Sequence, residues 1–273
     1  MIVYPNAKIN LGLNVLRKRN DGYHDIDSVF YPVQWKDILE VLPKEGQSHV
    51  AATYSGLDIP GDQKDNLCFK AYDLLAKDFQ LPGIQMHLHK LIPMGAGLGG
   101  GSADGAYMLR LLNKLFTLEI SDEKLEHYAT QLGSDCPFFI KNQVCHVSGR
   151  GERMVPISLD LSNYFILLIN PGLHTGTREA YAGITPSDRF ASPSEIVRNP
   201  IETWKSELKN DFETSAFILF PEIQKIKESL YEQGALYASM TGSGSTVYGI
   251  FEKDPSEIIK HYSEKKFEVF ISK

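Results

Sequence analysis

The strongest constraint on this chain is the run Gly95-Ala96-Gly97-Leu98-Gly99-Gly100-Gly101, in which five of seven residues are glycine. Glycine loses more chain entropy on folding than any other residue, so such a density implies a backbone that bends tightly or comes close to something. The segment before it, Ile84-Gln85-Met86-His87-Leu88-His89, alternates apolar and polar and reads as a strand with one buried face. After it, Tyr107, Met108, Leu111, Leu112 and Leu115 recur at helical spacing, with Ser102 or Asp104 placed to cap the helix. Main-chain N–H groups and the positive end of a helix dipole therefore converge on the bend. That is an anion cradle, and phosphate is the anion it suits.

Other readings of the glycines are weaker. A flexible linker rarely stands between a strand and an amphipathic helix. Gly95, Gly97 and Gly100 match the dinucleotide fingerprint G-x-G-x-x-G, and Glu119 follows at about the distance of a ribose-binding acid. That motif, however, follows a continuous apolar parallel strand, whereas this one alternates and leads into Pro93. The P-loop needs a lysine directly after its last glycine, where this chain has Ser102, and protein-kinase motifs of the H-R-D and D-F-G type are absent.

Composition narrows what the cradle serves. A formal charge of -6 argues against nucleic acid as partner, so a phosphate has to be held by local donors against the global field. The three cysteines, Cys68, Cys136 and Cys145, lack C-x-x-C spacing and fit a reducing compartment. No apolar run reaches membrane-spanning length and no basic-then-apolar leader opens the chain, so a soluble cytoplasmic protein without a membrane partner is expected. At 273 residues two domains are expected, 1–149 and 150–273, parted at the turn Ser148-Gly149-Arg150-Gly151-Glu152.

Further clusters lie along the chain. Ile9 to Val15 alternates, which puts Lys8, Asn10, Gly12 and Asn14 on a polar face that is ordinarily solvated. Lys8 stands out because no other charge interrupts the run from Pro5 until Arg17. The turn Arg19-Asn20-Asp21-Gly22 predicts a hairpin, followed by Tyr23-His24, residues that by themselves more often pack than bind a ligand. Helices are predicted from Asn66 and over Asp122 to Leu132, the latter between Ser121 and Gly133. Asp135 then stands alone before an apolar stretch, either as a partly buried acid in need of a partner or as the cap of a turn at Pro137. His87 and His89 lack a third metal ligand of fitting spacing and read as exposed edge residues. Thr185 to Asn199 predicts a mobile surface loop, and Met240 to Thr246 a second glycine-rich turn.

Five motifs occur in order: Pro5-x-Ala7-Lys8-Ile9-Asn10-Leu11, Asp21-Gly22-Tyr23-His24, Pro93-Met94-Gly95-Ala96-Gly97-Leu98-Gly99-Gly100-Gly101-Ser102, Gly133-Ser134-Asp135-x-Pro137 and Thr241-Gly242-Ser243-Gly244. Together they resemble the GHMP kinase superfamily, over about residues 3 to 251. The triple glycine and the Tyr-His pair favour a member that acts on a cytidyl diphosphate ester of a methylated polyol.

The resemblance implies an α+β, two-domain GHMP kinase fold. Its N-terminal ATP-binding domain has a mixed sheet and helices, and its C-terminal domain is ferredoxin-like. It implies that Pro93 to Ala103 wrap the ATP phosphates, with Asn66 and Lys90 near the nucleoside and Mg2+ accompanying the nucleotide. It implies Asp135 as catalytic acid-base with Lys8 as its cationic neighbour. Asn10, Tyr23, His24, Thr177, Tyr181, Gly242 and Ser243 would then contact the substrate, two of the aromatics sandwiching cytosine. Three residues depart from the commoner pattern: Ala96 for glycine, Ala103 for serine and Asp104 for asparagine. The expected chemistry is phosphoryl transfer from ATP to an alcohol, with Asp135 accepting the hydroxyl proton and Lys8 keeping Asp135 ionised.

Overall fold

In a computed structural model, every residue is described except 45, 47, 48, 175, 177–179, 182 and 187–190. Strand β6 (Gly83–Lys90) buries Ile84, Met86 and Leu88 and leaves Gln85, His87 and His89 more open, the alternation its sequence predicts. It lies in a four-stranded sheet with β1 (Ile2–Val3), β4 (Ile38–Lys44) and β5 (Val50–Gly56), in the order β1-β4-β6-β5. β4 runs antiparallel to β6 and β5 parallel to it, so the sheet is mixed. Because β6 pairs with both β4 and β5, His87 and His89 are not edge residues; they share the hydroxyl of Ser55, at 2.8 Å from each ring, on the more open face of an interior strand.

Four helices belong to the same compact unit, which comprises residues 1–7, 35–94 and 99–143. The helix α1 (Leu67–Ala76) starts where the Asn66 side chain accepts the Cys68 N–H. The glycine loop feeds α2 (Gly100–Leu115), whose buried Met108, Leu109, Leu111 and Leu112 form its core stripe. A Cβ on Gly105 would stand 2.8 Å from that of Leu67, so this glycine permits the close packing of α1 on α2. Neither Ser102 nor Asp104 caps α2. The helix begins at Gly100, with Gly99 at the cap position, which puts both residues inside it. α3 (Asp122–Leu132) runs from the Ser121 cap to Gly133 as expected, and the short α4 (Phe138–Lys141) follows the turn that holds Asp135.

The second unit comprises residues 8–34, 95–98 and 144–273. One of its sheets joins β2 (Asn6–Lys18), β3 (His24–Lys36), β7 (Cys145–Gly149) and β8 (Arg153–Pro156) in the order β2-β3-β7-β8. The β2–β3 turn closes at Gly22, whose φ is +87°. The other sheet holds β9 (Phe165–Asn170), β10 (Tyr237–Met240), β11 (Val247–Phe251) and β12 (Glu268–Ser272), ordered β10-β11-β9-β12 with each neighbouring pair antiparallel. Helices Phe212–Leu219 and Pro221–Glu232 lie between β9 and β10 in the chain, and Ser256–Ser263 between β11 and β12. That β-α-β-β-α-β succession is the ferredoxin-like pattern. The chain crosses between the two units five times, the last time at Gln143–Val144.

The polar face of β2 is not solvated. Lys8, Asn10 and Asn14 are as buried as Ile9 and Leu11 between them, because later segments of the same unit cover the strand. The Leu13 N–H donates to Lys209 O and the Asp211 N–H to Leu13 O, both at 2.8 Å. Leu208 sits where Gly12 leaves room, 2.5 Å from the Cβ that glycine lacks. Within the predicted loop 185–199, Pro193–Ile196 forms a helical turn with a capping box made by Ser192 and Glu195. Among the described residues no helix is long and apolar enough to cross a membrane.

Candidate active site

The glycine loop alternates in backbone sign. Gly95, Gly97 and Gly99 have φ of +64°, +77° and +71°, while Ala96 and Leu98 between them are not left-handed and are buried. Such alternation turns successive N–H groups toward one concavity, a nest for an anion. No side chain caps α2, so the amides of its first turn remain for a ligand. The Cβ that Gly101 lacks would meet only the end of the Met94 side chain, at 3.5 Å. A bare surface rich in N–H donors is what a polyphosphate requires, so the residues present fit the nucleotide.

In the second unit, Lys8 is tied to this loop. Its main-chain N–H donates to Leu98 O at 2.9 Å. Its ammonium donates to Asn10 Oδ1 at 2.7 Å and lies 4.5 Å from the centre of the Phe30 ring. Asn10 is held in turn: its Nδ2 donates to Ser28 Oγ and its N–H to Thr241 Oγ1. Thr241 Oγ1 also donates to Gly97 O at 3.1 Å, so the 241–244 turn grips both the loop and the Asn10 strand. Gly242 lies against Gly97, its absent Cβ 3.0 Å from Gly97 Cα. Asn210 buttresses the turn by donating to Met240 O and Gly242 O.

In the first unit, half-buried Asp135 occupies the turn before α4. The next residue, Cys136, lies near the Ser102 side chain, which places the Asp135 turn close to the start of α2. Burial pushes the Cys136 thiol up to about 12, so it packs and does not ionise. Asn66, besides capping α1, lies near the Tyr54 side chain. Lys90 is wholly buried and is engaged by acids: it donates to Asp37 Oδ2 at 2.5 Å and to Asp104 Oδ2 at 2.7 Å. Burial pulls its ammonium down, but the charges of Asp104 and Asp37 outweigh that, and the net shift is upward.

Around the substrate positions, Tyr181 stacks on His24 with ring centroids 4.6 Å apart and an interplanar angle of 13°. Phe212 meets the other ring of that pair edge-on, 4.8 Å from Tyr181. Tyr23 is exposed and carries the Arg150 guanidinium 5.1 Å from its ring centre. Tyr23 and Tyr181 are thus engaged separately, one by a cation and one by His24. Burial, and then the Lys18 charge, lower the His24 pKa, so near neutral pH the ring offers one donor and one acceptor. Ser243 lines a cavity of about 320 Å³ together with His174, Gly176, Ala180, Ser215 and Phe220. Thr177 lies outside the described residues.

Several residues of this region carry no motif. Asp37 and Arg150 sit at strand ends among ordinary charged residues, and no spacing singles them out. His174 follows Asn170-Pro171-Gly172, and its ring lies 2.7 Å from the Cβ position of Gly95. The turn after a continuous apolar strand was the one signal available for it.

Two family models match the chain: the GHMP kinases N terminal domain over residues 66–143 and the GHMP kinases C terminal domain over residues 194–268. The 4-diphosphocytidyl-2-C-methyl-D-erythritol kinase of Bacteroides fragilis is 48% identical over 255 residues, which is 93% of this chain and 93% of that one. Its counterpart in Bacteroides thetaiotaomicron is 50% identical over 255 residues with the same coverage. A crystal structure of 4-(cytidine 5'-diphospho)-2C-methyl-D-erythritol kinase matches with a TM-score of 0.84 at 29% identity, over 100% of this chain and 98% of that one.

Proposed function

The chain belongs to the GHMP kinases and, within them, to the 4-diphosphocytidyl-2-C-methyl-D-erythritol kinase family, and from that premise we infer its reaction and the part each residue plays. The enzyme phosphorylates the 2-hydroxyl of 4-diphosphocytidyl-2-C-methyl-D-erythritol with ATP, giving the 2-phosphate and ADP on the methylerythritol phosphate route to isoprenoid precursors. Its three unpaired cysteines suit a reducing cytoplasm.

The observation that carries the assignment of roles is the main-chain bond from Lys8 to Leu98, which fastens the buried lysine to the bend of the glycine loop. Residues 93 to 103 wrap the ATP phosphates, which accept from main-chain amides of the glycine loop from Gly95 onward, with Asn66 toward the nucleoside. Mg2+, bound chiefly by those phosphates, would supply charge neutralisation. Asp135 accepts the proton of the acceptor hydroxyl as the phosphoryl group leaves ATP. Lys8, oriented by Asn10, neutralises charge on the transferring group. His24, Tyr23 and Tyr181 read the cytosine by edge hydrogen bonds and stacking, and Thr177, Gly242 and Ser243 bound the rest of the acceptor.

A coupled ADP-release assay tests the reading. Turnover is expected with the cytidyl diphosphate ester, and only background with free methylerythritol, mevalonate, homoserine or galactose. Equal rates on the free polyol and the ester would remove the cytosine assignment. ATP binding without turnover on any acceptor would remove the kinase reading.

A further inference from the structure

The buried acids beneath the loop are not used by that mechanism. Asp37 stands between β3 and β4, and its Oδ1 accepts the N–H groups of Leu91 and Ile92 at 2.6 and 2.8 Å. Those two residues are the corner at which β6 ends and the path to the glycine loop begins. Asp37 Oδ2 takes one Lys90 hydrogen and Asp104, in the second turn of α2, takes another. The Lys90 ammonium lies 3.1 Å from the Cβ position of Gly100, the first residue of α2. One cation and two acids therefore brace the strand end, the approach to the loop and the helix start together, all with side chains at most 4% exposed.

Charge counting leaves this cluster one proton short of balance. With both acids ionised it carries a net negative charge in a buried site, and Asp104 Oδ1 has no donor among the described residues. The Asp37 and Asp104 carboxyls, however, meet at the same Lys90 nitrogen, which sets them side by side. We propose that Asp104 is a positioning residue that works as the neutral acid, sharing its proton with Asp37 while accepting from Lys90, and that this balanced brace sets the loop for its nucleotide.

The proposal rests on the nucleotide reading of the loop. Burial raises Asp104 to about 7, Asp37 adds to the rise, and Lys90 opposes it. The remaining facing group is the Cys68 thiol of α1, which burial holds well above its usual range and so neutral. An asparagine at 104, the residue of the commoner family pattern, donates to Asp37 and accepts from Lys90 in the same way as the protonated acid. Above neutral pH the wild-type cluster gains a negative charge under the phosphates, and the asparagine form does not.

The sign follows from linkage. A folded-state pKa raised above the unfolded value gives stability that is full at low pH and lost as pH rises through about 7. The test compares wild type with Asp104→Asn by calorimetric binding of ADP and of a nonhydrolysable ATP analogue, and by melting temperature, from pH 6 to 8.5. The titration of the nucleotide itself is common to both proteins. Wild-type affinity is expected to fall by about fivefold or more relative to Asp104→Asn across that range, and the melting temperature of the variant is expected to gain on wild type in step. Asp37→Asn, which weakens the hold on the Leu91 and Ile92 amides, should raise the KM for ATP with kcat and the KM for the acceptor little changed. Parallel pH profiles for wild type and Asp104→Asn overturn the proposal. Failure of both proteins to bind nucleotide overturns it through its premise, and is distinguished because the reading of the loop then fails as well.

Discussion

The Cβ that Gly97 lacks would stand 2.0 Å from the carbonyl oxygen of Thr241 and 2.9 Å from its carbonyl carbon. The obstacle is backbone, in a turn fixed on its other side by Asn210, so it has no rotamer by which to yield. Gly97→Ala adds a left-handed backbone cost to that collision, about 3 kcal/mol or more in all, and should appear as a large fall in melting temperature. Gly101→Ala, whose Cβ meets only a methionine end, should fold normally and lose nucleotide affinity instead. A wild-type melting temperature for Gly97→Ala would contradict the packing described.

Asp135→Asn keeps the shape of the turn before α4 and removes the proposed proton acceptor. Its kcat should fall by about 10²- to 10⁴-fold, with melting temperature and nucleotide affinity close to wild type. Near-normal turnover in the folded variant would leave Asp135 a positioning role at most.

In the proposed reading, the His24–Tyr181 stack is an aromatic wall of the acceptor pocket. Tyr181→Leu should raise the KM for the cytidyl substrate by about three- to tenfold, the loss of roughly 0.5–1.5 kcal/mol of ring contact, while the KM for ATP stays put. Tyr181→Phe, which keeps the ring, should behave as wild type. If leucine were as good as phenylalanine, stacking would have no part in recognition.

All three cysteines are buried, and burial pushes both Cys136 and Cys145 up to about 12. An aromatic disulfide reagent at pH 8 should therefore label the native protein very slowly and label three thiols per chain in denaturant. Prompt stoichiometric labelling of the folded enzyme would mean that these side chains are open to solvent.

Local signals in the sequence carried much of this. The Ser121 cap and Gly133 stop fixed α3, and the alternation of Ile84 to Lys90 fixed which side of β6 is buried, because both depend on residues only a few positions apart. The polar face of β2 was misjudged for the complementary reason. Alternation tells which residues share a face and not what covers it, and the cover comes from Leu208 and Asp211, some two hundred residues later. Asp104 posed the same difficulty: on the sequence it is an acid beside a phosphate loop, and only the positions of Lys90 and Asp37 turn it away toward a buried cluster. The ordered motifs marked the loop, Lys8 and Asp135, whereas Arg150 and His174 answer to no pattern and emerge from three-dimensional proximity alone.

The pairing of β3 with β7 joins Phe30 to Cys145 and Ile26 to Gly149. On the ribosome, the first of these partners waits for more than a hundred further residues, roughly 5–25 s at ordinary elongation rates. Throughout that interval the nascent β2–β3 hairpin, with its ten consecutive positions destined for burial, has no neighbouring strand of its own sheet to join. Chaperone dependence during synthesis, more than fragility of the finished enzyme, is where this topology should exact its toll.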